Sequence, residues 1–133
     1  MNIPINSCSY EQFDPDTFTP LNDTTKIRLF ELGWSKEQFQ NKSVLDIGCN
    51  TGMLSIHAIS LGAKSVHACD VQRPFVDFLS EIAEKKTLPI TVSQTNVLEL
   101  TVEHHRSDIV LFMEVLHWAV SQGSSVEDII KKL

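Results

Sequence analysis

Long apolar runs are missing from this sequence. No stretch approaches the ~20 consecutive apolar residues of a membrane-spanning helix. The opening Met1-Asn2-Ile3-Pro4-Ile5-Asn6 has neither the basic start nor the apolar centre of a secretory signal. Cysteine is scarce: Cys8, Cys49 and Cys69 are an odd number without C-x-x-C spacing. They argue against a disulfide framework or a zinc cluster and fit reduced thiols in a cytoplasmic protein. Positive charge is also short, with 11 Lys and Arg against 17 Asp and Glu and a net charge of −6. A large nucleic-acid footprint needs clustered Lys and Arg, so nucleic acid is disfavoured as a partner. His57 and His67 fall inside elements and His104-His105 in a polar link. None has ligand spacing backed by a third donor, and no metal centre is expected. Neither an internal repeat nor a low-complexity segment is present. What remains is an ordinary globular balance, 42% hydrophobic and 21% charged over 133 residues. That length and balance describe one domain able to bury a core.

The first 23 residues have no clear period. Pro4, Pro15 and Pro20 punctuate them, and Tyr10, Phe13 and Phe18 interrupt polar sequence. Residues 1–23 read either as a loosely packed arm or as a lid whose aromatic residues cover a ligand. The domain proper is expected over 24–133. It opens with a helix from Thr24 that stops at Gly33, and Ser35-Lys36-Glu37-Gln38 has the spacing of a capping box. The period then changes. Ser43-Val44-Leu45-Asp46-Ile47 reads as a buried strand, Thr51 to Leu61 as a helix, and Ser65 to Asp70 as a second strand. A second long helix follows Pro74, with Phe75, Phe78, Leu79, Ile82 and Ala83 as one stripe. Pro89 to Ser93 and Asp108 to Met113 complete a set of four strands, and a last helix is expected from Ser124 to the chain end. Alternating strands and helices predict an α/β fold, a parallel sheet with helices on both faces.

Ligands of such sheets bind outside the C-terminal ends of the strands. There the sequence places Asp46-Ile47-Gly48-Cys49-Asn50-Thr51-Gly52, two glycines in a strand-to-helix turn. The free N–H groups of the next helix start at this turn. Asp46, at the end of an apolar strand, requires a partner. Asp70 ends the second strand, where an acid can accept hydrogen bonds from both hydroxyls of a ribose.

This combination resembles the Rossmann-like, class I S-adenosylmethionine-dependent methyltransferases, specifically their N-terminal, cofactor-binding part. The likeness covers about residues 43 to 118. The family's first motif, D-x-G-x-G-x-G, is matched by Asp46, Gly48 and Gly52, with Asn50 in place of the middle glycine and Cys49 between. The resemblance implies that this loop curves around the methionine part of S-adenosyl-L-methionine and that Asp70 binds the ribose. It places Val71 and Gln72 by the adenine and matches Asn96-Val97 to a position that usually holds Asp and an apolar residue. Asn keeps one acceptor and adds donors toward the adenine amino group. Met113-Glu114-Val115-Leu116-His117-Trp118 resembles the fourth motif, between cofactor and acceptor. Arg28 reads either as a surface residue or as a partner of the cofactor carboxylate.

The implied strand order is 3-2-1-4, the first four strands of a seven-stranded sheet. The chain is therefore expected to be incomplete on its C-terminal side or completed by a partner. The implied activity is methyl transfer to an unidentified acceptor, a small molecule, sugar or protein ahead of nucleic acid. His117 is the first candidate for a general base and Glu114 the second. A catalytically silent cofactor-binding or regulatory domain stays open. A nicotinamide oxidoreductase is less favoured, because its fingerprint is G-x-G-x-x-G, and the absence of Lys-Ser/Thr after Gly52 excludes a P-loop. The apolar fourth strand is expected either to self-associate through its free edge or to be covered by the final helix, with association preferred.

Overall fold

The computed structural model describes residues 11–96, 99 and 106–112. Eight elements follow in the order α1 (Asp23–Leu32), α2 (Lys36–Phe39), β1 (Ser43–Ile47), α3 (Met53–Ser60), β2 (Ser65–Asp70), α4 (Arg73–Lys85), β3 (Ile90–Gln94) and β4 (Ile109–Phe112). The helix boundaries have local causes. Asn22 caps α1 by accepting the N–H of Thr25 at 2.8 Å, and Gly33 stops it in the left-handed region at φ 58°. Ser35 donates its N–H to Oε1 of Gln38 at 2.8 Å, half of the capping box that starts α2. The apolar stripe of α4 is buried along its length, from Phe75 through Phe78, Leu79 and Ile82 to Ala83.

All strand pairs are parallel and the order is β3-β2-β1-β4, as the sequence predicts. Chain order and spatial order part company between β3 and β4, so β1 sits in the middle, flanked by β2 and β4. The crossovers through α3 and α4 step in the same direction, which for right-handed connections puts both helices on one face. Val44 and Leu111 point into the core cluster on that face, together with Val66, Ala68, Leu54, Phe78 and Leu79. At the opposite end from the site, Ser43 and Asp108 clamp β1 to β4. Asp108 Oδ2 accepts the Ser43 N–H at 3.0 Å, and the Asp108 N–H donates to Ser43 Oγ at 3.0 Å. With Asp108 used in this clamp, β4 begins at Ile109, one residue after the start expected from the sequence.

Residues 11–22 form a tight hairpin. Phe13 and Pro20 bridge antiparallel, and Leu21 donates its N–H to the Gln12 carbonyl at 2.8 Å. Phe13 is 1% exposed and meets Phe78 edge-on, with ring centroids 5.7 Å apart. The Gln12 N–H reaches Thr25 Oγ1 at 2.9 Å. This segment is thereby fastened to both α1 and α4. Tyr10 and the final helix expected from Ser124 lie outside the described residues.

Candidate functional site

The loop after β1 is built from alternating left-handed residues: Gly48 at φ 73°, Asn50 at φ 54° and Gly52 at φ 92°. Asparagine tolerates this region better than most side chains. Here Asn50 Oδ1 also accepts the Thr51 N–H at 2.9 Å, which explains how the loop keeps its shape without the middle glycine. The N–H groups of Gly48 and Cys49 both donate to the Cys69 carbonyl, at 2.8 and 2.9 Å, and lock the loop to the end of β2. A Cβ on Gly52 would collide with the side chain of Leu79, so α4 packs against bare backbone. Thr51 and Gly52 thus belong to the loop, and α3 starts at Met53 rather than at Thr51. The Cys49 side chain is buried in the core, and what it lends the loop is backbone.

Asp70 lies beside that loop, 8% exposed. Its Oδ2 accepts the Asn50 N–H at 2.9 Å and its Oδ1 the Gln72 N–H at 2.9 Å. Each oxygen keeps a further acceptor site. The carboxylate is therefore aimed by two main-chain donors, one from the loop after β1 and one from the start of α4. Val71 and Gln72 are exposed where α4 begins, and the Val71 carbonyl accepts from Gln94 Nε2 at 3.1 Å. Asn96 follows β3 at the same end of the sheet, half-buried, with its amide donating to Glu99 Oε1 at 2.9 Å. Val97, Met113, Glu114, His117 and Trp118 lie outside the described residues.

Beneath the loop, Asp46 is 1% exposed and accepts the Ser55 hydroxyl at 2.6 Å. Ser55, on the first turn of α3, is the partner that a carboxylate at the end of an apolar strand requires. Burial still pushes the Asp46 carboxyl up to about 6, against the opposing pull of Ser55, with the Asp70 charge adding to the rise and Arg28 reducing it. A second buried acid stands next to it. Glu11 is 3% exposed, and its carbonyl and Oε1 both face Thr51 Oγ1, at 3.0 and 3.4 Å. Burial, then the Asp46 charge, lift the Glu11 carboxyl to about 8, while Arg28, the Met53 N–H and Thr51 draw it down. The same surroundings raise the thiols: Cys49 well above its ordinary value and Cys69 to about 12, burial leading in both.

Arg28 is half-buried in α1 and acts electrostatically on both Glu11 and Asp46, so it belongs to this end of the molecule rather than to the open surface. Glu11 is the residue that sequence reasoning missed. A lone acid in a polar segment without period reads as solvated. Only the burial of Phe13 two positions later carries it inside, and that depends on a tertiary contact.

A sequence profile described as a methyltransferase domain matches residues 44–132. A ribosomal protein L11 methyltransferase of Ruminiclostridium cellulolyticum is 30% identical over 91% of the chain and 39% of its own length. A solved structure of a candidate RNA methyltransferase from Pyrococcus horikoshii is 32% identical with a TM-score of 0.54, covering 68% of this chain and 44% of that one. The PRMT1 enzyme-prozyme complex of Trypanosoma brucei, solved with AdoHcy, is 32% identical with a TM-score of 0.51, over 57% of this chain and 24% of that one. The chain thus spans less than half the length of each of these relatives.

Proposed function

The chain belongs to the methyltransferase-domain family of S-adenosylmethionine-dependent proteins, and on that premise we propose that it binds S-adenosylmethionine and serves methyl transfer. The observation that carries this reading is the pair Asp70 and glycine loop. A buried carboxylate, aimed by the N–H groups of Asn50 and Gln72, adjoins a turn whose backbone is stripped of side chains at Gly48 and Gly52. Its acceptor capacity suits the two hydroxyls of a ribose. The tight, left-handed backbone and the opening turn of α3 suit the approach of a polar amino-acid end. Arg28 supplies a cation for a carboxylate there. The relative solved with AdoHcy supports the same ligand class.

When bound, the cofactor supplies an electrophilic methyl group on a sulfonium. The residues of this chain then have to bind, orient and keep water away. Asp70 holds the ribose, the 48–52 loop fixes the amino-acid end, and Val71 with Gln72 flanks the adenine. His117 is the group we assign to remove a proton where the acceptor is a hydroxyl or a protonated amine, with Glu114 as its alternate. The relatives' names point to different acceptors, a ribosomal protein in one and RNA in another. The net charge of −6 favours a protein, sugar or small molecule over nucleic acid.

Thermal melting tests the cofactor. At a ligand concentration 100 times Kd, S-adenosylmethionine or S-adenosylhomocysteine should stabilise the fold by about 2.7 kcal/mol. Asp70→Ala should lose roughly 1.5–3 kcal/mol of that binding while still folding. Stabilisation by NADH and by neither sulfur nucleoside would overturn the reading. Methyl transfer to an identified acceptor would then separate an enzyme from a silent cofactor-binding domain.

A further inference from the structure

Resting on the cofactor reading above, we infer that Glu11 is the partner of the cofactor's ammonium group and that its carboxyl gives up a proton when the ligand binds. Three observations carry this. Glu11 is placed at the site by the chain itself: Thr51, inside the glycine loop, donates its hydroxyl to both the carbonyl and the carboxyl of Glu11. The anchor is rigid, because Phe13 is embedded against Phe78 and the Gln12 N–H is held by Thr25. And the neighbourhood is charge-matched to a zwitterion. An amino acid's free end carries one ammonium and one carboxylate. Glu11, on the hairpin, and Arg28, on α1, are one acid and one base that act on each other across this end of the site.

The remaining charged and titratable groups around Glu11 can be named. Asp46 on β1 repels a second negative charge, Arg28 on α1 attracts it, and the Met53 N–H at the start of α3 and the Thr51 hydroxyl stabilise it. Cys49 and Cys69 are thiols held protonated first by burial and then by the Asp46 and Asp70 charges. Asp70 acts on Asp46 from the end of β2. Within this set Glu11 sits buried beside a second carboxyl, Asp46, and Arg28 acts on both acids. The ligand's ammonium adds a second cation beside them. Glu11 then passes its proton to water or buffer, and the carboxylate that forms pairs with the ammonium. Arg28 faces the ligand's own carboxylate, and the site is more negative by the one charge of the proton released.

Calorimetry on the full chain decides the matter without a turnover assay. S-adenosylhomocysteine, which carries the ammonium, and 5′-methylthioadenosine, which lacks the whole amino-acid end, are titrated in two buffers of different ionisation enthalpy at pH 7. S-adenosylhomocysteine should release close to one proton and methylthioadenosine none. Below pH about 8 the affinity for S-adenosylhomocysteine should weaken by up to tenfold for each unit of falling pH. Glu11→Gln, which keeps the shape of the side chain, should abolish the proton release, flatten the pH profile and weaken S-adenosylhomocysteine by about tenfold or more. Its affinity for methylthioadenosine should not change, which also certifies that the variant is folded. Equal proton release in wild type and Glu11→Gln would overturn the assignment of Glu11 and leave the cofactor reading intact. Failure of both nucleosides to bind the wild-type chain would overturn the two together.

Discussion

Glu11 and Asp46 keep protons at pH values where ordinary carboxyls have lost them, and this sets how the fold responds to pH. Desolvation raises Glu11 from 4.5 to about 8 and Asp46 from 3.8 to about 6. Between pH 6 and 8 the folded chain therefore holds a proton on Glu11 that the unfolded chain does not. Stability falls as pH rises through that window, by about 1.4 kcal/mol per unit for one proton. Asp46 contributes in the same sense between about 4 and 6. Urea denaturation at pH 6, 7 and 8 should show this slope, and Glu11→Gln should be flatter than wild type by about 1 kcal/mol per unit. Parallel profiles would mean that Glu11 ionises like a surface acid. Asp46 was legible in the sequence because it closes an apolar strand immediately before two glycines. Arg28 was legible only as an open choice, since a helix with Ile27 and Phe30 facing solvent gives little indication of which side is inward. Glu11 was not legible at all, for want of any periodic pattern around it.

Elements were easier to read than their ends. The strands and α4 announce themselves through β-branched runs and a stripe at helical spacing, and the parallel order follows from the crossovers. Apolar composition starts α3 at Thr51, two residues before its start at Met53, because it cannot reveal that Thr51 and Gly52 are spent on the turn. The hairpin over 11–22 escaped altogether. Its reversal is made by Asp14, whose Oδ1 accepts the N–H groups of Asp16 and Thr17 at 2.8 and 3.0 Å, and by Phe18 at φ 62°. A phenylalanine in the left-handed region has no sequence signature. Gly52 shows how tightly two elements can depend on one atom that is not there. Gly52→Ala combines a strained φ of 92° with a collision against Leu79. It should destabilise the fold by roughly 1–3 kcal/mol and weaken the cofactor loop in parallel. Chemical denaturation of Gly52→Ala at wild-type stability would show that α4 can retreat from the loop.

At the scale of the molecule, β4 is a sheet edge among the described residues, and Val110 on it is 40% exposed. An apolar edge with unpaired backbone groups invites another strand. We expect the 133-residue chain to self-associate, so that light scattering gives a mass that climbs with concentration; a constant monomer mass would refute this. Among the described residues no helix is long and apolar enough to cross a membrane. The central position of β1 has one more consequence, for the order in which the protein comes together. β1 meets β2 across only 22 positions, Ser43 to Ser65, but meets β4 across 65. Closing the longer loop costs about 1 kcal/mol more. The 48–52 loop, Asp70 and the hairpin that carries Glu11 all lie on the near side of that closure. A growing chain can therefore complete the 48–52 loop and its contact with Asp70 while β4 is still being made, and the Ser43–Asp108 clamp is the latch that closes afterwards.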